Sequence, residues 1–420
     1  MAFAHTHQIT LRTVSPVHIG IGRGNEWSNY ADYVQTSEYL HFIDARKLEE
    51  CFKSDTSLID EYVQGMRSMD NTQSNFRLED FIRTRLQVSL DDVTRYKIPF
   101  KVNLGKNQIR PCLTNAGKPY IAGSTLKGMI RTAVYYQWFM TTSEGKAMAQ
   151  RVFEAVESAW RSEKGKVEQA QQQYRDGDRN EGNRLMKEVG RSFENRISYF
   201  MESALFGDLN SPLGPDFRHL RVSDTTCLTE TALEVTPVMR VKLSEAGMTS
   251  DIPQYCMAIG AGQEMTFDLS LTPQFKHRDL QFLNAPDLAA LMFCLQSFAD
   301  ASYSYELSCL DRISDKKLDG VYNFCADLED EGADLETGKK APHSAYCRIG
   351  FGKTYFDNSI GLMIHKQAPH LMDPFRKMLG LGRSPQTRLF AQNFPKTRSY
   401  VVRDENAAQP MGWCLIEKQA

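Results

Sequence analysis

Pro119-Tyr120-Ile121-Ala122-Gly123-Ser124-Thr125-Leu126-Lys127-Gly128-Met129-Ile130-Arg131 leaves the turn-rich segment Asn115-Ala116-Gly117-Lys118 and enters a helix. Ser124 or Thr125 is placed to accept the free N–H groups of the first turn. Leu126, Met129, Ile130, Ala133, Val134 and Trp138 then fall on one face at helical spacing. Lys127 and Arg131, four residues apart, share a face opposite much of that stripe. Two cations near a helix N-terminus oppose the macrodipole unless an anion sits there. The first-turn N–H groups, the hydroxyls of Ser124 and Thr125 and these two cations together predict a phosphate site.

Upstream of this helix the pattern has the two-residue period of strands. Ile9, Leu11 and Thr13 alternate with Thr10, Arg12 and Val14, and further strand-like stretches run through Tyr30, Tyr33 and Val34 and through Tyr39, Leu40, Phe42 and Ile43. Asp44 predicts an N-cap for a short helix from Ala45 to Phe52, and residues 53–94 read as short helices and loops. Downstream, residues 141–200 carry eleven basic and ten acidic side chains, with Leu185, Val189, Phe193, Ile197 and Met201 at helical spacing, which predicts a solvated helical insertion. The composition changes at Asn210-Ser211-Pro212-Leu213-Gly214-Pro215, and strand alternation returns at Met265, Phe267, Leu269 and Leu271. Ala285 to Phe298 reads as a buried helix. Asp327 to Glu336, with six acids in ten residues, reads as an exposed loop. Two units follow, 1–214 with the insertion at about 141–200, and 215–420. No regular strand-helix-strand rhythm links them, so the expected class is α+β with antiparallel sheets.

With 420 residues and 41% apolar side chains the chain can bury a large core. Nine cysteines, none spaced Cys-x-x-Cys, suit reduced thiols in a cytoplasm and predict no structural zinc. No stretch is apolar for some eighteen residues, so a soluble cytoplasmic protein with no membrane partner is expected. The net charge of −2 attracts no polyanion, yet it conceals segregation. Arg95 to Tyr136 holds eight basic residues and no acid. Arg383 to Arg403, including Arg398, and Lys339 to Phe356, including Arg348 and Lys353, are acid-free as well. Cations with aromatics interleaved suit a groove that tracks a single RNA strand, where phosphates are neutralised and bases stack. Solvated faces paired with distant acids would leave the same sequence pattern.

Two glycine loops add backbone that can approach a ligand closely, with cations at hand: His18-Ile19-Gly20-Ile21-Gly22-Arg23-Gly24 and Arg348-Ile349-Gly350-Phe351-Gly352-Lys353. Neither has the spacing of a dinucleotide fingerprint or a nucleotide-binding P-loop, so no cofactor is expected.

Thr13-Val14-Ser15-Pro16-Val17-His18-Ile19-Gly20, the Pro119–Arg131 segment and the Arg348–Lys353 loop, in this order, resemble the RAMP superfamily of CRISPR proteins. Phe217-Arg218-His219-Leu220-Arg221-Val222-Ser223-Asp224, Phe394-Pro395-Lys396-Thr397-Arg398 and Met411-Gly412-Trp413 are similar to the fifth-subunit family of the type III-A (Csm) effector complex. Ala122 stands where that family usually has proline. The resemblance implies a pair of RRM-like, ferredoxin-like domains; RNA contacts are expected through His18, Gly20, Arg23, Lys118, Ser124, Thr125, Lys127, Arg131, Arg221, Arg348, Gly350, Gly352, Lys353 and Arg398. It implies that the chain holds the 3′ part of the crRNA and caps the backbone filament beside the repeated backbone RAMP subunit. It also implies support for maturation of the crRNA 3′ end, with recruited host nucleases.

An RNA-cleaving alternative needs a base and an acid within reach of one ribose. The residues open to that role are His18, His219 and Asp32, and a metal-independent endoribonuclease acting on precursor crRNA would use them. Acidic pairs such as Glu329 and Asp330 fall in the acid-rich segment, a poor place for RNA, so no metal is expected. A non-catalytic RNA-binding subunit is the principal expectation.

Overall fold

In the computed structural model, residues 4–22, 24–29, 31–68, 76–105, 107–211, 214–250, 253–336, 343–391, 394–395 and 397–419 are described. The chain opens with β1 (His5–Thr13), whose Ile9, Leu11 and Thr13 are all buried, as the alternation requires. β2 (Tyr33–Gln35) and β3 (Tyr39–Ile43) lead into α1 (Ala45–Phe52), where the Asp44 carboxylate accepts the N–H groups of Arg46 and Lys47 as expected. α2 (Ser57–Ser68), α3 (Leu78–Thr84) and α4 (Leu90–Val93) precede β4 (Thr94–Pro99). β2, β3 and β4 form a small antiparallel sheet, and Leu48, Phe52, Phe81 and Ile82 make a separate core beside it.

β5 (Ile109–Arg110) and the hairpin β6 (Thr114–Asn115) with β7 (Lys118–Pro119) deliver the chain to α5 (Gly123–Thr141). α6 (Ser143–Arg175) and α7 (Arg179–Phe206) are the insertion, helical as expected. Its seam is not solvated. Val152, Val156, Val167, Leu185, Val189 and Phe193 are buried and continuous with the main core, while pairs such as Lys166–Glu188 and Arg184–Glu181 cover the outer face. The mixed charge marks one face of each helix, and the apolar spacing marks the other.

β8 (Leu220–Val222), β9 (Leu233–Ser244), β10 (Gly247–Ser250), β11 (Gln254–Ile259) and β12 (Glu264–Leu271) follow. α8 (Ala289–Leu310) overlaps the buried helix expected from Ala285 to Phe298 but starts later and runs on to Leu310, and α9 (Asp319–Glu336) packs against it. The acid-rich segment from Asp327 is therefore helical rather than a loop. Val321, Cys325 and Leu328 recur at helical spacing and are buried, which anchors the helix and leaves Asp327, Glu329, Asp330 and Glu331 exposed. β13 (Ser344–Arg348), α10 (Gly361–Gln367), α11 (Met372–Met378), β14 (Thr397–Arg403), β15 (Asn406–Pro410) and β16 (Trp413–Lys418) complete the chain.

Among the described residues one sheet has the order β13-β16-β1-β12-β8, wholly antiparallel, and a second has the order β15-β14-β9-β11-β5, with β10 paired to β9. The second sheet is antiparallel except for its short parallel edge between β5 and β11. The class is α+β, as expected. The boundary at residue 215 does not separate the sheets, because β1 lies between β16 and β12, and β5 adds to β11. Composition records where loops fall, but strand pairing over hundreds of residues leaves no local mark. Among the described residues no single helix is long and apolar enough to cross a membrane.

Candidate nucleic-acid interface

The two glycine loops meet. Phe351 donates its N–H to the His18 carbonyl at 2.9 Å. Gly350 has φ +71°, and a Cβ there would come within 2.5 Å of the same carbonyl oxygen, so this close approach requires glycine. The His18 ring is buried, with Nδ1 2.6 Å from the Met257 carbonyl and its edge against Phe351. A carbonyl only accepts, so Nδ1 carries the proton of the neutral imidazole. Burial pushes the His18 pKa below the ordinary imidazole value; the Met257 carbonyl opposes this and Arg110 adds to it. Gly20 bridges to Cys112, which ties the first loop to the segment just after β5.

Beside these loops opens a cleft of about 350 Å³. Arg110 of β5, Arg240 of β9 and Lys353 line it with Phe351, Tyr355 and Phe394, and no carboxylate lines it among the described residues. The Arg110 guanidinium lies 5.2 Å from the centroid of the Phe351 ring. Arg240 is exposed, reaching Thr397 Oγ1 at 3.5 Å. Burial lowers the Lys353 pKa, with Asp357 pulling the other way. Each of the three acid-free stretches supplies part of this wall, through Arg110, Phe351 with Lys353, and Phe394. The arrangement offers cations and aromatic faces to one anionic strand.

Two other cations from these stretches do not face it as free charges. Arg348 donates to the Met411 carbonyl at 3.0 Å, to Asp357 at 3.0 Å and to the Gly352 carbonyl at 3.1 Å, so it braces the glycine loop from behind. Arg398 is 3% exposed and held by Glu306 at 2.7 Å, with Tyr400 on the same carboxylate. The sequence predicts RNA contacts for both, but their charges are taken by buried acids, Asp357 nine residues on from Arg348 and Glu306 ninety-two residues before Arg398. Sequence separation hides Glu306, whereas Asp357 stands immediately after the acid-free stretch that holds Arg348.

The α5 motif is likewise tied inward. Its first N–H, from Gly123, is donated to Asp224 Oδ1 at 2.7 Å, and no side chain of Ser124 or Thr125 caps the helix. A carboxylate of the chain itself thus occupies the place where a phosphate was expected. A Cβ at 123 would meet the Val222 carbonyl oxygen at 2.4 Å, so helix and β8 touch through glycine. Lys127 donates to the Leu220 carbonyl at 2.7 Å, and Arg131 pairs with Glu202 at 2.7 Å. Burial lowers the Lys127 pKa first, then Arg131 and Arg221. Ser124 and Arg221 are exposed. Lys118, on the β6–β7 hairpin, is exposed and does not line the cleft, and Arg23 lies outside the described residues.

The family model of the RAMP superfamily matches residues 10–362. The chain is a RAMP superfamily protein. No curated protein matches it. Among solved structures, it shares its fold with a chain of a Csm–crRNA–target RNA ternary complex of a type III-A CRISPR-Cas system. That match has 22% identity and a TM-score of 0.66, over 98% of this chain and 100% of the other. Csm5 of T. onnurineus is similar at 19% identity and a TM-score of 0.59, over 96% of this chain and 99% of that one.

In this RAMP protein the three residues weighed for RNA cleavage have separate surroundings. His18 is engaged with Met257 and Phe351. His219 is buried against Phe275 and accepts from Arg218 at 3.3 Å. Asp32 closes a turn by accepting the Ser28 N–H at 2.8 Å. None of the three is a hydrogen-bond or ring partner of another among the described residues. Sequence reasoning placed Arg110 in a basic stretch without assigning it a contact. It missed Arg240, Tyr355 and Phe394. Phe351 stood between two glycines, which is a legible signal, whereas Arg240 alternates outward on β9 and leaves none.

Proposed function

We propose that this RAMP protein is a non-catalytic RNA-binding subunit of a type III-A CRISPR effector complex in the cytoplasm. It holds the 3′ part of the crRNA, caps the backbone filament beside the repeated backbone subunit, and supports maturation of the crRNA 3′ end by recruited nucleases. The observation that carries the reading is the convergence of the three acid-free stretches on one cleft without a lining carboxylate. Arg110, Arg240 and Lys353 neutralise phosphates, and Phe351 and Phe394 present faces to unstacked bases. The similarity to a chain of a Csm–crRNA–target RNA complex supports crRNA and other Csm subunits as partners. The separate surroundings of His18, His219 and Asp32 favour binding over cleavage.

Titration of single-stranded RNA at several salt concentrations tests this. Affinity falls with salt, and Arg110→Ala with Lys353→Ala flattens the logarithmic slope by about 0.7 for each phosphate contact removed. An unchanged slope removes the cleft from the RNA path. Labelled precursor crRNA incubated with the purified chain, with and without chelator, stays intact; cleavage that His18→Ala abolishes would make the protein an enzyme.

A further inference from the structure

Next to the cleft lies a second cavity, of about 340 Å³, within the range of roughly 300–1,000 Å³ common for small-molecule sites. Its walls are Tyr135 and Tyr136 of α5, Phe193 and Phe206 of α7, Phe375 of α11, and Tyr355. Tyr355 also lines the cationic cleft. Ring contacts run from one space to the other: Phe394 to Tyr355 at 5.7 Å, Tyr355 to Phe375 at 6.2 Å, Phe375 to Phe193 at 5.3 Å. An aromatic path thus connects the place that suits phosphates with a largely apolar chamber.

Thr132, Asn358 and Ser359 add polar atoms to its wall beside Tyr135, Arg131 and Glu202. Tyr135 is 9% exposed, and its buried hydroxyl oxygen has no hydrogen-bond partner among the described residues. Burial, with Glu202 nearby, pushes the phenol pKa up, so it remains a neutral hydroxyl that can donate and accept. The Arg131–Glu202 pair stands in the wall, each side chain about one third exposed at 37% and 35%. The cation is already matched by a carboxylate, so the chamber does not suit a phosphate. It suits a planar heterocycle, whose faces stack on the rings and whose edge meets the Glu202 carboxylate.

We propose that this cavity takes one unstacked nucleobase of the RNA strand lying in the cleft. The inference rests on the reading of the cleft as an RNA groove and adds where a base of that strand goes. An exocyclic amino group of the base donates to Glu202, whose second carboxylate oxygen is not used by Arg131.

Gly128 lines the cavity, and a Cβ there meets no atom within 4 Å, so Gly128→Trp fills the space without deleting a contact. Gly165→Trp, in α6 with equally open surroundings, is the matched control. Melting curves of both variants establish that each folds. The full chain is irradiated with a short single-stranded RNA carrying thiouridine. Adducts are expected on Tyr135, Phe193 or Tyr355 of the parent and of Gly165→Trp, and are lost in Gly128→Trp together with roughly tenfold affinity, the worth of about one stacked base. Salt-dependent RNA binding without adducts in the cavity overturns this inference and leaves the cleft intact. Absence of RNA binding overturns both. Uridine monophosphate binding that Gly128→Trp abolishes, with no RNA adduct, assigns the cavity to a free nucleotide and overturns the proposal. Normal RNA binding by Gly128→Trp with failed assembly onto other Csm subunits assigns it to a protein side chain and overturns it too.

Discussion

Asp224 accepts the backbone N–H of Gly123 at 2.7 Å, so the start of α5 is closed by a carboxylate delivered from the loop after β8. Two cations, Lys127 and Arg131, stand within the next two turns, and the acid answers the field that they and the helix dipole create. The motif is a clasp between helix and sheet.

Removing that acid therefore tests a structural role. Asp224→Ala is expected to cost about 1 kcal/mol, the usual loss for a helix cap, read as a lowered urea midpoint with an unchanged slope. The RNA affinity of the cleft should stay within twofold. A larger loss of RNA affinity than of stability would return the helix start to the binding site.

Arg398 and Arg110 come from acid-free stretches alike, but the fold gives them opposite fates. Arg398 is sealed against Glu306 and Tyr400, and breaking a buried pair by removing one partner costs about 3–5 kcal/mol. Arg398→Ala should lower the unfolding midpoint sharply, and Arg398→Met with Glu306→Met should recover much of the loss. Arg110→Ala should leave the midpoint nearly unchanged and alter only the salt dependence of RNA binding. Chemical denaturation set beside RNA titration separates the two.

The contrast shows what one dimension of sequence conveys. Ile9, Leu11 and Thr13 announced a buried strand face, and Asp44 announced a helix start, because strand alternation and helix caps are set by neighbours a few residues away. The acid-free stretches announced a cationic surface, and Arg110, Phe351, Lys353 and Phe394 do share one. What stayed hidden depends on partners far along the chain: Glu306 for Arg398, Glu202 for Arg131, and β16 beside β1. Asp327 to Glu336 misled in another way, since charge density outweighed the wider spacing of Val321, Cys325 and Leu328 that makes it a helix.

Stability should fall as pH drops from 7 towards 5. Burial lowers the pKa of His18, and of His7, His41, His219 and His365, below the ordinary value of about 6.5. Between the lowered folded value and the unfolded one, the unfolded chain binds more protons, so unfolding is favoured as acid is added. Above the unfolded value both states are neutral and the effect vanishes. His18→Gln should be less stable than the parent at pH 7 and lose less on acidification, so the gap in melting temperature narrows at pH 5. A gap that widens would mean that His18 is charged in the fold.

Gly350 couples the backbone to the binding surface. With φ at +71° and the His18 carbonyl oxygen 2.5 Å from where a Cβ would sit, Gly350→Ala combines left-handed strain with a contact against main chain that cannot swing away. The strain alone costs about 1–2 kcal/mol. Relief requires the loop to lift, which lengthens the bond from Phe351 N–H to the His18 carbonyl and moves the Phe351 ring from beneath Arg110. Gly350→Ala should therefore lower both the unfolding midpoint and RNA affinity. Gly128→Ala, at an open helical position, should gain about 0.5–1 kcal/mol instead. Hydrogen exchange at the Phe351 amide reads the mechanism directly: faster exchange in Gly350→Ala than global destabilisation accounts for locates the damage in the loop, whereas exchange that follows global stability alone would detach Gly350 from the cleft.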